Sequence, residues 1–165
     1  MFPMFVSLAG RRCLVVGAGR VAKRKIAALE EFGAEVIVSE NYRESDLDGV
    51  FLAIAATDDS AVNAKVAADC AARRIPVNVA DEPEKCSFYF PAYVKKGAVT
   101  VGVSTSGRSP LAASRLRSAI EPLVTDTFAA AVDRLGEMRE AVMKTVPDQT
   151  ERKRIFAENF TRLTT

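Results

Sequence analysis

Cys13-Leu14-Val15-Val16-Gly17-Ala18-Gly19-Arg20-Val21-Ala22 is the stretch on which the fold turns. Its first four residues form a short apolar run of strand length, and the run stops at a glycine. From Val21 to Phe32 the apolar residues Ala22, Ile26 and Leu29 recur at helical spacing. Strand, glycine turn and helix are therefore predicted in that order. The turn has the pattern G-x-G-x-x-A: the first glycine permits a tight turn, the second lets backbone approach a pyrophosphate, and small Ala22 lets the helix pack closely on the strand. Amides at the helix start would then face the phosphates. Gly17, Ala18, Gly19, Arg20 and Val21 become candidate dinucleotide-binding residues; the competing reading is an ordinary glycine-rich turn.

Working outward, Gly33 stands where a helix C-cap glycine would, and Glu35-Val36-Ile37-Val38 offers a second strand. Ser39 and Glu40 follow it, with Glu40 about twenty residues beyond the glycines, where the dinucleotide fingerprint places a ribose-binding carboxylate; a solvated loop carboxylate is the competing reading. Phe51 to Ala56 reads as a strand buried on both faces. Asp58 or Asp59 can cap a helix carrying Val62, Val66 and Cys70, and Pro76 to Val79 is the next strand. Strands alternating with helices predict a parallel sheet in an α/β, Rossmann-type fold. Ala56, Thr57 and Asp58 lie at the carboxyl end of their strand, the edge where open sheets place ligands, so they join the cofactor candidates. Asp81, before Glu82-Pro83, ends the next strand at the same edge and is read either as a turn residue or as a base.

One spacing does not fit. Only Ser39 to Val50, twelve polar-rich residues, separate the second and third strands, although a parallel crossover needs a dozen or more residues and usually a helix. The spacing predicts an interruption of the chain near Glu40, Asn41 or Tyr42, and a trimmed sheet edge is the alternative.

Beyond Asp81 the texture changes. Ser87-Phe88-Tyr89-Phe90 and Val99 to Val103 read as two strands of a hairpin or meander. From Pro110 the chain is helical, with one stripe at Leu111, Leu116, Ile120 and Leu123, a second from Phe128 to Val142, and a last helix after Pro147. Ser104, Thr105, Ser106, Gly107 and Arg108 join a strand to a helix that Ser109 can cap. Amides, hydroxyls and a guanidinium would converge there, which suits carboxylate groups of a substrate; the competing reading is a well-capped helix start and nothing more. The expected regions are 1–84, a dinucleotide-binding domain; 85–124, a small α+β region for dimerisation and substrate; and 125–165, a helical end.

The bulk composition sets the limits. The chain has 165 residues, 48% hydrophobic and 27% charged, which is enough for an ordinary core. A net charge of +2 offers no field for nucleic acid, and no run approaches the length of a membrane span. The first residues lack the features of a signal peptide, so a cytoplasmic protein is expected. Three cysteines without CxxC spacing predict reduced thiols, and no metal site is expected. With no histidine, acid and base chemistry falls to carboxylates, thiols, lysines or hydroxyls.

Taken together, Phe2-Pro3-Met4-Phe5, Gly10 to Gly19, Val21 to Lys25, Ala55 to Asp59, Asn78 to Asp81, Cys86-Ser87-Phe88, Phe90-Pro91-Ala92 and Ser104 to Pro110 resemble the precorrin-2 dehydrogenase/sirohydrochlorin ferrochelatase family, including the amino-terminal module of siroheme synthases. The resemblance implies NAD as cofactor at the glycine loop and oxidation of precorrin-2 to sirohydrochlorin. Some members also insert ferrous iron. It implies a catalytic role for Asp81 and pairing into a homodimer. Two readings compete with it: a non-catalytic NAD-sensing module, and an oxidoreductase of another carboxylated substrate.

Overall fold

The computed structural model describes residues 2–164; Met1 and Thr165, the outer ends of the first and last expected regions, lie outside them. The chain divides into two compact units that meet at Phe90 and Pro91.

In the first unit, β1 (Arg12–Val16), α1 (Arg20–Glu31), β2 (Glu35–Ser39), β3 (Leu52–Ala55), α2 (Ser60–Arg73) and β4 (Val77–Val79) follow one another. The strands form a parallel sheet in the order β2-β1-β3-β4. The chain thus moves outward from β1 on one side to β2 and returns on the other side to β3. That reversal opens a crevice at the carboxyl ends of β1 and β3. Both faces of the central strands are buried, which is why Cys13 to Val16 of β1 and all of β3 are continuously apolar, whereas β2 at the edge holds no buried residue. Leu14, Val16, Ala53, Ala55, Val77 and Val79 pack under Val66 and Cys70 of α2. On the other face, Cys13, Val15, Leu52 and Ile54 pack with Ala22 and Leu29 of α1. Phe88 and Phe90 close the margin of that second core. The cysteines are free thiols, as expected; burial pushes Cys13 and Cys70 up to about 11, and Cys86 is only half-buried.

The predicted interruption after β2 is not found, and the trimmed edge takes its place. Residues 40–50 form a continuous folded connection with a 3-10 turn at Glu44–Leu47. The turn is closed by Asp46, whose carboxylate accepts from the Arg43 amide at 3.0 Å and the Ser39 hydroxyl at 2.8 Å. Leu47 and Val50 fill the space where a crossover helix would pack. Arg73 of α2 fastens the outside through Asp48 at 2.6 Å and Glu44 at 3.0 Å. Two buried apolar side chains and these polar ties replace a helix, and β2 is left as the edge of the sheet.

The second unit contains β5 (Ala92–Lys96), β6 (Val99–Val103), α3 (Pro110–Ile120), α4 (Asp126–Thr145) and α5 (Gln149–Thr164). The hairpin exists, but its first strand is Ala92–Lys96 and not Ser87 to Phe90. The reason is local. The Ser87 amide donates to the Val77 carbonyl and its hydroxyl accepts from the Val77 amide, tying this stretch to β4, and Pro91 follows without an N–H. Ser109 caps α3 by accepting from the Ala112 amide at 3.2 Å. Phe128 of α4 meets Phe160 of α5 edge to face at 5.5 Å. No helix among the described residues is long and apolar enough to cross a membrane.

Candidate functional site

The glycine turn sits over the crevice between β1 and β3. The Gly17 amide donates to the Ser39 carbonyl at 2.9 Å, and its φ of +115° is one that only glycine adopts without strain. Added at that position, a Cβ would lie 2.4 Å from the Ala56 carbonyl oxygen, so neighbouring backbone dictates this glycine. Gly19 is different. It precedes α1 with a β-region backbone, and a Cβ there would meet nothing within 4 Å. The fold itself makes no demand for glycine at 19; a ligand approaching the backbone would.

A groove is lined by Gly17, Ala18, Gly19, Glu40, Ala56, Thr57 and Asp58. It continues past Glu40 into a second hollow lined by Asn41, Tyr42, Arg43, Ala61, Val62 and Lys65. The N-terminus of α1 has no side-chain cap and no acidic residue in its first turn. Arg20 and Lys23 stand there instead, cations at the positive end of a helix, an arrangement that an anion in the groove would offset. These features fit a dinucleotide pyrophosphate.

The sequence candidates separate into groups. Gly17, Ala18, Gly19, Glu40, Ala56, Thr57 and Asp58 come together around the groove. Arg20 is exposed beside it, and Val21 turns toward the core of α1. The Ser39 side chain faces Asp46 and does not line the groove. Asp59, and not Asp58, caps α2, accepting from the amides of Ala61 at 2.8 Å and Val62 at 3.3 Å. Asp58 is thereby left to the groove. Asp81 lies at the same sheet edge, two residues past β4, exposed and with a φ of +60°. That left-handed backbone costs most residues about 1 kcal/mol or more, less for aspartate, and such outliers cluster at working sites. Ser104 to Arg108 belong to the other unit, where the Ser104 hydroxyl accepts from the Ser106 amide and Thr105 brackets Ser109.

Three supporting residues were not legible in the sequence. Buried Asn63 holds the Thr57 turn: its amide donates to the Thr57 carbonyl at 3.0 Å, and its Oδ1 accepts from the Thr57 amide at 3.1 Å. The Tyr42 hydroxyl donates to Asp69 at 2.8 Å, and Lys65 pairs with the same carboxylate oxygen at 2.8 Å. Burial, and then the bond to Asp69, hold the Tyr42 phenol well above its ordinary pKa. Lys25, quoted in the motif but assigned no role, is buried against Asn78. A polar residue on the inward stripe of a helix was the one available signal.

Comparison with known proteins places this geometry. The profile of a family described as "Putative NAD(P)-binding" matches residues 4–41 and 38–92. The chain belongs to that family. A nicotinamide dinucleotide is accordingly the ligand class of the family. The two matched pieces meet at the end of β2, where the sheet edge is trimmed. The chain is also similar to the siroheme synthase of Methylobacillus flagellatus, 38% identical over 178 aligned positions that include 95% of this chain and 38% of that protein. The siroheme synthase of a Psychrobacter species is 33% identical over 180 positions, 96% of this chain and 37% of the relative. Both alignments are longer than the 165-residue chain, so these relatives carry residues that it lacks. The chain spans less than two fifths of the length of either. Among solved structures, "SirC, precorrin-2 dehydrogenase" superposes with a TM-score of 0.73 over 96% of this chain and 88% of that one, at 24% identity, a likeness of fold.

Proposed function

We propose that this protein oxidises precorrin-2 to sirohydrochlorin with NAD, in the cytoplasm, as a step of siroheme formation. The observation that carries the reading is the identity of 33–38% with siroheme synthases over nearly the whole chain. The groove and the Asp81 turn at one sheet edge supply its chemistry.

When bound, the dinucleotide supplies the hydride acceptor. The chain's own residues do the rest. Backbone at Gly17 to Gly19 and the open start of α1 hold the pyrophosphate. Glu40 accepts the ribose hydroxyls and repels a 2′-phosphate, which favours NAD over NADP. Lys65, farther along the groove, is already paired with Asp69. Asp81 accepts the proton that the macrocycle loses as hydride departs. Ser104, Thr105, Ser106, Gly107 and Arg108 bind substrate carboxylates through amides, hydroxyls and the guanidinium.

We further propose a homodimer formed through the second unit. Leu111 and Leu116 of α3 are 65% and 52% exposed, and Leu123 is 71% exposed, so the stripe expected from the sequence lies uncovered in the single chain. Light scattering at micromolar concentration should give twice the chain mass, and a monomer would overturn this part.

Incubating the protein with precorrin-2 and NAD, while following the absorption of both macrocycle and NADH, tests the reaction. Stoichiometric sirohydrochlorin and NADH are expected; binding of NAD without turnover would favour the sensing module. Ferrous iron added to the same mixture reads insertion directly, as the appearance of siroheme or the persistence of sirohydrochlorin.

A further inference from the structure

Lys25 is the one buried charged side chain among the described residues, 8% exposed. It reaches from α1 across the sheet face, donates to Oδ1 of Asn78 on β4, and lies 4.7 Å from the centroid of the Phe90 ring. Asn78, itself buried, uses its amide nitrogen to donate to the Phe88 carbonyl at 3.0 Å. Its neighbours are Phe88 and Phe90, which meet at 5.8 Å, and the Cys86 sulfur at 3.5 Å from Asn78. Burial lowers the pKa of the ammonium; Cys86 and Asp81 oppose that, and Arg24 adds to it.

A buried ammonium is expensive, and well-packed apolar side chains of similar volume often fill such a space with no loss of stability. Packing between α1 and the sheet therefore does not account for Lys25. What the pair joins does. The start of α1 follows the glycine turn, and β4 runs within two residues into Asp81. We infer that Lys25 is a positioning residue: through Asn78 it locks the cofactor-binding helix to the strand that leads into Asp81, so that cofactor and proton acceptor keep one separation. The inference rests on the reaction proposed above.

The test uses the full chain and three variants, Lys25→Met, Lys25→Arg and the apolar pair Lys25→Met with Asn78→Leu. Turnover, KM for precorrin-2, NAD affinity, urea midpoint and amide exchange across residues 78–90 are measured for each. In Lys25→Met and in the apolar pair, kcat should fall at least tenfold while KM and NAD affinity change less than threefold, and exchange of the Ala80 to Glu82 amides should quicken. The apolar pair should unfold at or above the wild-type urea midpoint. Lys25→Arg, which keeps the donor, should recover part of the lost kcat. Wild-type kcat in the apolar pair would overturn the inference, as would failure of both Met variants to fold. A wild-type protein that binds NAD and leaves precorrin-2 unchanged would instead overturn the proposed function. Unaltered exchange in the variants would then remove the lock as well.

Discussion

The Ala56 carbonyl oxygen occupies the space that a side chain at Gly17 would need, 2.4 Å from the place of its Cβ. Two strands neighbouring in the sheet thus make this glycine obligatory, whereas Gly19 faces open space. The two glycines of one motif should therefore fail differently. Gly17→Ala is expected to lose more than about 2 kcal/mol of stability in urea unfolding, from a strained positive φ together with a backbone collision. Gly19→Asp should keep the wild-type midpoint and lose NAD affinity at least a hundredfold, because a carboxylate would stand at the proposed pyrophosphate site.

Asp81→Asn should lower kcat for precorrin-2 at least a hundredfold with NAD affinity unchanged within threefold. The side chain stands outside the groove lined by the glycine turn, and the amide cannot take up a proton at neutral pH. Near wild-type kcat would return Asp81 to the role of a turn residue.

Glu40 is shared by the inner and outer parts of the groove. Removing its carboxylate in Glu40→Ala should reduce the ratio of NAD to NADP turnover at least tenfold, mainly by improving NADP, since Arg43 lies in the outer part. An unchanged ratio would show that the ribose lies elsewhere.

Lys25 also makes a prediction about pH. Its folded pKa lies below the ordinary lysine value of about 10.4, so between the two values the unfolded chain binds more protons and stability rises with pH. The burial penalty is present in full below the folded pKa and is gone above the unfolded one. Lys25→Met has no such penalty. Its stability relative to wild type should therefore be most favourable near pH 7 and decline toward pH 10, in urea unfolding at several pH values. A difference independent of pH would mean that Lys25 titrates normally.

Much of the groove was legible before folding because its signals are local. The glycine spacing, the Asp that caps α2 and the Ser109 cap of α3 each act within a few residues. Even so, the choice between Asp58 and Asp59 waited for the helix to show which side chain met its amides. The stretch Ser87 to Phe90 reads as a strand because its three consecutive aromatic residues suit one, while its real partner, Val77, lies ten residues back.

The sequence by itself determined the parallel α/β order, the glycine turn and the edge at which Asp81 stands, since hydrophobic period and turn chemistry are short-range properties. Only the tertiary structure decided that the crossover after β2 is a short folded connection, that Ala56 forbids a side chain at Gly17, and that Lys25 meets Asn78 fifty-three residues away. Each of these depends on which strands become neighbours. A buried polar group must find a partner among whatever the fold brings beside it, and that partner's place in the chain leaves no periodic trace.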